Sequence, residues 1–203
     1  MKKLVTMTTM VLVITASAVA QSKVGVKAGL NLNSISTNNE DLKSELSARP
    51  SIHLGLVGDF SLGKDFAFQP QLLFSGRGGK VAHDDHKDVY AFNSLEIPLN
   101  FVYKSGTKGG FFAGAGPVLG YNLSGKEKAH DESEKIEFGT EAGTIKRFDV
   151  GANALVGYEL SNGVFFSANY TLGFTNWNNV ENPTWRNNMF AVSVGYFFNK
   201  AKK

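Results

Sequence analysis

The run His83-Asp84-Asp85-His86 brings two imidazoles and two carboxylates close together in the sequence. Zn²⁺ and other divalent ions accept such ligands. The chain has four His and no Cys, and no other His obviously completes a coordination shell. We interpret the run as the solvated tip of a loop, and we predict neither a metal site nor a cofactor.

A second set of ionisable residues is dispersed along the chain, at positions that alternate with apolar residues. Its members are Lys27, Asp59, Glu96, Lys104, Asp149 and Glu159, with Arg147 as a further candidate cation. If the strands that carry these residues close into a barrel, such groups could form a path for protons or ions, or a salt-bridged plug in which buried charges are paired. The interior of an eight-stranded barrel is just wide enough for side chains to fill it. We therefore expect a filled lumen lined by this polar network, and not a porin channel.

The longest predicted loop, 124–144, is strongly charged. It contains Lys126, Lys128 and Lys135 together with several Asp and Glu residues. We favour a solvated outer loop, and the alternative is a surface that binds a partner, a cation or lipopolysaccharide.

Motifs of enzymes are missing from the sequence. It has no nucleophile motif, no phosphate-binding loop and no metalloenzyme spacing. We predict a non-enzymatic protein without a catalytic residue. The alternatives are an outer-membrane enzyme, or a ligand- or lipid-binding barrel, that acts through residues scattered over its extracellular loops; His83, Asp84 and His86 are the cluster to test.

The elements that would position these residues are β-strands. Apolar residues alternate with polar or small ones, most clearly from Phe148 to Phe174, where Asn162-Gly163 supplies the positive φ angles of a hairpin turn. Pro70 lacks an N–H and weakens the ladder locally, which allows a bulge there. The predicted strands cover 23–33, 51–62, 66–76, 89–104, 111–121, 148–160, 164–174 and 188–198.

The connections between these strands alternate between long and short, which is typical of an up-and-down barrel. In an outer membrane we expect the short turns and both termini to face the periplasm and the long loops to be extracellular. A lipocalin-like soluble barrel would turn the apolar face inward, and an outer-membrane barrel would turn it to lipid. The other face is rich in Gly and poor in charge, which suits a narrow lumen better than a solvent face. Aromatic residues also mark both ends of the apolar face, as expected at two membrane interfaces. The predicted interface residues are Phe60, Phe101, Tyr103, Tyr121, Tyr158, Phe174, Trp177 and Tyr196. We therefore predict an all-β fold, an eight-stranded antiparallel up-and-down transmembrane β-barrel in the cell outer membrane.

The first residues read as a processing segment. Lys2 and Lys3 precede an apolar run that ends in the small-residue site Ala18-Val19-Ala20. We predict a cleaved signal peptide over 1–20, a barrel domain over 21–199 and a basic tail over 200–203. The formal net charge of +3 does not favour nucleic acid as a partner.

Several longer stretches resemble the PorT-like outer-membrane β-barrel proteins of Bacteroidetes-type bacteria. They are Val26-Lys27-Ala28-Gly29-Leu30-Asn31-Leu32, Phe68-Gln69-Pro70-Gln71-Leu72-Leu73-Phe74-Ser75, Leu95-Glu96-Ile97-Pro98-Leu99, Ala115-Gly116-Pro117-Val118-Leu119-Gly120-Tyr121, Phe148-Asp149-Val150-Gly151 and Arg186-Asn187-Asn188. Members of that family look like small barrels of unassigned role, and the name-giving member is associated with a protein-secretion system. The resemblance implies a structural or accessory barrel whose partners are the outer-membrane bilayer and envelope or secretion-system proteins.

Overall fold

The computed structural model describes residues 22–82, 87–106, 109–129, 132–141, 143–180 and 182–198. The predicted signal peptide, the basic tail and the run from His83 to His86 lie outside the described residues. The elements are β1 (Lys23–Thr37), α1 (Glu40–Lys43), β2 (Leu46–Ser47), β3 (Arg49–Ser61), β4 (Phe66–Ala82), β5 (Lys87–Lys104), β6 (Gly110–Ala129), β7 (Glu132–Lys135), β8 (Phe148–Glu159), β9 (Val164–Gly173) and β10 (Trp185–Phe198). Among the described residues, no helix has the length and apolar character needed to cross a membrane.

Eight of the strands form a closed antiparallel barrel in the order β1-β3-β4-β5-β6-β8-β9-β10. The last strand returns to the first, with a register that runs from Val24↔Phe198 to Thr37↔Trp185. Closure leaves no open edge within the barrel wall. The short strands β2 and β7 pair with β4 and β6 at the end of the barrel that carries the long connections. The predicted fold is therefore confirmed.

The alternation in the sequence becomes an alternation between the outer surface and the lumen. On β1, for example, Leu30 is 62% exposed and its neighbour Asn31 is completely buried. Val, Leu, Ile and aromatic side chains cover the outside of the other strands in the same way. A surface of this kind is stable against lipid and not against water, because the apolar band would otherwise be fully hydrated.

Several strands are longer than the sequence predicts. The pairing of β4 with β5 continues to Ala82↔Lys87, and β6 continues to Ala129. Arg77 therefore lies within a strand and not in the predicted loop that follows residue 76. Beyond the apolar band both faces of a strand carry polar residues, so the period-2 signal disappears although the hydrogen-bonded ladder continues.

The irregular point in the ladder is not at Pro70. The pairs Pro70↔Leu99 and Leu73↔Glu96 keep one register across the proline. The register shifts instead between Asn93 and Ser94, which face Ser124 and Asn122 and leave Leu123 between them. This bulge on β6 turns Leu123 outward, 45% exposed. A bulge changes the face of the strand on which the following side chains lie. After this bulge, the side chain of Lys126 lies on the outer surface.

Glycines on the inner surface make room for large rings in a narrow lumen. A Cβ at Gly157 would overlap the ring of Phe112, and a Cβ at Gly195 would overlap the ring of Phe165. Small and large residues at paired positions of neighbouring strands thus fill the barrel together.

Candidate functional site

The short-turn end of the lumen is filled by apolar side chains. Phe165 and Phe197 stack with their ring centroids 4.6 Å apart, and Phe112 packs edge-on against Phe165 at 6.5 Å. The whole cluster, which we call the inner plug, is buried and comprises Val57, Val102, Phe112, Leu155, Phe165 and Phe197. Because these six buried side chains come from six different strands and pack into one cluster, this end of the lumen is closed to solutes.

Ion pairs surround the inner plug at the mouth of the barrel. Lys104 Nζ lies 2.8 Å from Asp59 Oδ2 and 3.1 Å from Glu159 Oε2. Lys23 also pairs with Glu159. Gln69 Nε2 donates a hydrogen bond of 2.7 Å to the same oxygen of Asp59. Two carboxylates thus meet two ammonium groups, which neutralises this layer.

The middle of the lumen holds a chain of hydrogen bonds. Lys27 Nζ donates to Gln71 Oε1 at 3.3 Å. His53 lies between Asn31 and Ser193, with Nδ1 2.6 Å from Asn31 Oδ1 and Nε2 3.1 Å from Ser193 Oγ. Asn31 Nδ2 donates to the carbonyl oxygen of Gly76 at 3.2 Å, and because a carbonyl oxygen can only accept, this bond fixes the orientation of the amide. His53 Nδ1 must therefore donate, and Nε2 accepts from the Ser193 hydroxyl.

Arg77 is the central cation of the next layer. Its Nη2 lies 2.5 Å from Asp149 Oδ2, and its Nε lies 3.2 Å from Glu96 Oε1 and 3.3 Å from Asn187 Oδ1. The sequence places Glu96 and Asp149 on the inner face and misses their partner. The spacing along β4 could have identified Arg77, because it lies an even number of residues from Gln69, Gln71 and Ser75 and therefore shares their inward face.

Arg147, the other cation considered for this network, lies outside the lumen. Its guanidinium donates to the carbonyl oxygen of Asn122 at 3.1 Å. It also stacks over Phe138, 4.6 Å from the ring centroid, and over Tyr121 at 5.9 Å. It is therefore bound to the outer surface, next to the bulge.

The long-loop end of the lumen carries a second apolar cluster, which we call the outer cap. Its buried members are Ile35, Phe92 and Trp177, and Leu46, Tyr90, Ile136, Phe138, Ile145 and Trp185 pack against them. Trp177 meets Phe92 at 5.3 Å and Tyr90 at 5.6 Å between ring centroids. The gap between the cap and the Arg77–Asp149 pair measures about 10 Å³, room for about one water molecule.

The placement of Trp177 corrects the predicted interface residue at this position. Trp177 is only 7% exposed and does not face lipid. Its loop folds over the barrel mouth because Trp177 N donates to Trp185 O at 2.9 Å and Lys146 N donates to Trp177 O at 2.8 Å. The indole is thus held inside the barrel, where it closes the lumen.

The other predicted interface aromatics lie on the outer surface. Phe101, Tyr103, Tyr158, Phe174 and Tyr196 are exposed, and Phe60 and Tyr121 are half-buried. Outward rings also pair across strands: Phe111 meets Tyr158 at 4.8 Å and Tyr121 meets Phe148 at 5.0 Å. Such rings lie where an apolar band meets headgroups.

A family model described as outer membrane protein beta-barrel domain matches residues 18–179. The chain belongs to this family. It is accordingly an integral protein of the cell outer membrane, and the soluble lipocalin-like alternative is excluded. Among curated proteins, none matches the chain.

Solved structures of outer-membrane barrels are similar to this family member in fold. Neisserial surface protein A (NspA) shares 12% identity and a TM-score of 0.50, over 86% of this chain and 97% of that chain. Ail, the attachment invasion locus protein of Yersinia pestis, shares 11% identity and a TM-score of 0.48, over 88% and 99%. OprG of Pseudomonas aeruginosa shares 10% identity and a TM-score of 0.45, over 88% and 97%. At these identities the similarity concerns the fold alone.

Proposed function

We propose that this outer-membrane barrel is closed, non-enzymatic and accessory to an envelope or protein-secretion system, and that it acts through its extracellular surface. The observation that carries the proposal is the double closure of the lumen. The inner plug fills one end and the outer cap fills the other. The ion pairs of Arg77 lie between them, and the ion pairs of Lys104 surround the inner plug at the mouth of the barrel.

The charges of the lumen support a plug better than a conducting path. Arg77 and Lys104 each lie within ion-pair distance of two carboxylates. A conducting path needs groups that release an ion as readily as they bind it. Groups fixed by several short contacts, in a lumen closed at both ends, instead tie the strands of the barrel together.

The accessory role is tested by deleting the gene. We expect the deletion to lower the amount of secreted protein in the medium or to weaken the envelope against detergents, and the wild-type gene to restore the lost property. A variant that reverses the charges of Glu132 and Glu134, both exposed on β7, alters the extracellular surface and leaves the eight barrel strands unchanged. It should reach the outer membrane in normal amount and fail to restore the property. Unchanged secretion and detergent resistance in the deletion strain would contradict the accessory role.

One arrangement favours an enzyme as the second candidate. Ser193, His53 and Asn31 have the relationship of nucleophile, base and orienting group, with distances of 3.1 and 2.6 Å. All three are less than 10% exposed and lie between the inner plug and the outer cap. A substrate that enters along the barrel axis therefore has no route to the hydroxyl, and we interpret the chain of hydrogen bonds as a structural network.

Activity measurements decide between these candidates. The purified barrel should not hydrolyse phospholipid, peptide or p-nitrophenyl ester substrates, and Ser193→Ala should not differ from it. Hydrolysis by the wild type that disappears in a folded Ser193→Ala protein would establish the enzyme instead. The His83–His86 run is tested by the same measurement on His83→Ala, Asp84→Ala and His86→Ala.

A further inference from the structure

The extracellular part of the barrel wall contains a groove that is separate from the closed lumen. It has a volume of about 430 Å³ and lies along β5, β6 and the segment that follows β7. We call it the outer groove; its main lining residues are Arg49, Leu123, Lys126, Lys135, Phe138 and Arg147. Four of these side chains are cationic, and the described residues that line the groove include no carboxylate.

Two of the cations face each other directly. In the pairing of β6 with β7, Lys126 lies opposite Lys135. Like charges at opposed positions of an antiparallel pair destabilise it. The next pair, Glu127↔Glu134, lies on the other face of the same ribbon, since successive residues of a strand alternate. The ribbon thus has one cationic face and one anionic face, and the cationic face borders the groove.

Both arginines of the groove are held in place by the protein. Arg147 donates to the carbonyl oxygen of Asn122 and stacks over Phe138. Arg49 Nη1 donates to the carbonyl oxygen of Arg77 at 3.1 Å. A fixed guanidinium loses little conformational entropy when it binds an anion, and its planar donors match phosphate oxygens.

The groove opens to the outer surface of the barrel, directly above the outer aromatic residues. Arg147 immediately precedes Phe148, whose ring pairs with Tyr121 below the bulge. Leu123 is exposed there, and the half-buried ring of Phe138 also lines the groove. The site therefore has apolar residues at the level of the membrane and cations just above them. This arrangement matches a lipid at the leaflet surface, whose acyl chains lie below its charged headgroup.

We propose that the outer groove binds the phosphorylated headgroup of a lipid in the outer leaflet. Lys126 and Lys135 would contact the phosphate between them, which relieves their mutual repulsion. Arg147 supplies a second contact at the membrane surface, and Leu123 and Phe138 pack against the apolar part of the lipid. The site makes the barrel a lipid-binding protein in addition to any accessory role, and it does not depend on that role.

Lipid binding by the full-length folded barrel in a neutral detergent tests the proposal. The probe is phosphatidic acid, and diacylglycerol with the same acyl chains serves as its phosphate-free counterpart. Native mass spectrometry gives the bound fraction of each. The site variant is Lys126→Gln/Lys135→Gln. The matched control is Lys128→Gln, since Lys128 is exposed on the same strand opposite Ser133 and does not line the groove.

We expect wild type and Lys128→Gln to retain phosphatidic acid equally, and the double variant to bind it about tenfold more weakly or worse. Diacylglycerol should not be retained, and inorganic phosphate at the same concentration should not displace the lipid. Equal binding to wild type and double variant, equal binding of both lipids, or displacement by inorganic phosphate would each overturn the proposal.

The thermal stability of a single variant tests the same site if the double variant fails to fold. Lys135→Gln alone should raise the unfolding temperature in lipid-free detergent, because it removes the repulsion from Lys126. The same variant should be stabilised less than wild type by phosphatidic acid. A Lys135→Gln protein that gains no stability without lipid, or that responds to phosphatidic acid as wild type does, contradicts the site.

Discussion

Arg77 and Asp149 meet inside the barrel with Nη2 and Oδ2 2.5 Å apart, although 72 positions (149 − 77) separate them in the sequence. Glu96, on a third strand, contacts the same guanidinium. The three residues connect β4, β5 and β8 across the lumen, directly below the outer cap. The lumen is therefore filled by an ion-paired layer that lies between the inner plug and the outer cap.

Removal of Arg77 should destabilise the barrel strongly. Arg77→Met leaves the carboxylates of Glu96 and Asp149 buried without a counter-charge, and breaking a buried pair in this way costs about 3–5 kcal/mol. Urea-induced unfolding in lipid vesicles measures the loss. The triple variant Arg77→Met/Glu96→Gln/Asp149→Asn is the matched control and should recover much of the stability, because no charge remains unpaired. An Arg77→Met barrel as stable as wild type would contradict the ion-paired layer.

The position of Trp177 can be read from its fluorescence. The chain has two Trp, so Trp185→Phe leaves Trp177 as the single emitter. Since Trp177 is buried in the outer cap, we expect blue-shifted emission that neither aqueous acrylamide nor quenchers attached to lipid acyl chains reduce strongly. A residue of the membrane interface would be quenched efficiently by the lipid-attached groups, and that result would restore the sequence-based interpretation.

Tyr90 should titrate later than an ordinary tyrosine. Burial, and then a hydrogen bond and the negative charge of Glu127, raise the pKa of the Tyr90 phenol at the long-loop end of the barrel, beyond the apolar band. A raised pKa in the folded state means that the stabilising contribution is complete below the unfolded pKa of about 10. It is lost as the pH rises from there through the folded pKa.

Ultraviolet titration of the phenolates tests this expectation. One of the six tyrosines should ionise after the others in wild type, and that late step should be missing from Tyr90→Phe. The stability of wild type relative to Tyr90→Phe should decrease only above a pH of about 10. A wild-type titration curve without a late step would show that the phenol is not held in this environment.

The sequence predicts the wall of the barrel well and the ends of the barrel poorly. Within the apolar band, burial on one side and lipid on the other enforce period 2, so residues such as Leu30 and Asn31 can be assigned a face directly. Outside the band water contacts much of the wall and the period vanishes, which is why Arg77 and the upper part of β6 are missed. Trp177 is misassigned for a different reason: its side chain is placed by the path of a loop, and no local pattern encodes that path.

The central claim is that the lumen is closed, and the ion conductance of the purified barrel in a planar lipid bilayer tests it most directly. A general porin in the same lipid serves as the positive control, and a heat-dependent mobility shift on gels shows that the sample is folded. The inner plug, the ion-paired layers and the outer cap predict a conductance no higher than that of the bare bilayer, with no discrete steps. Reproducible single-channel steps from the folded barrel would contradict the closed lumen.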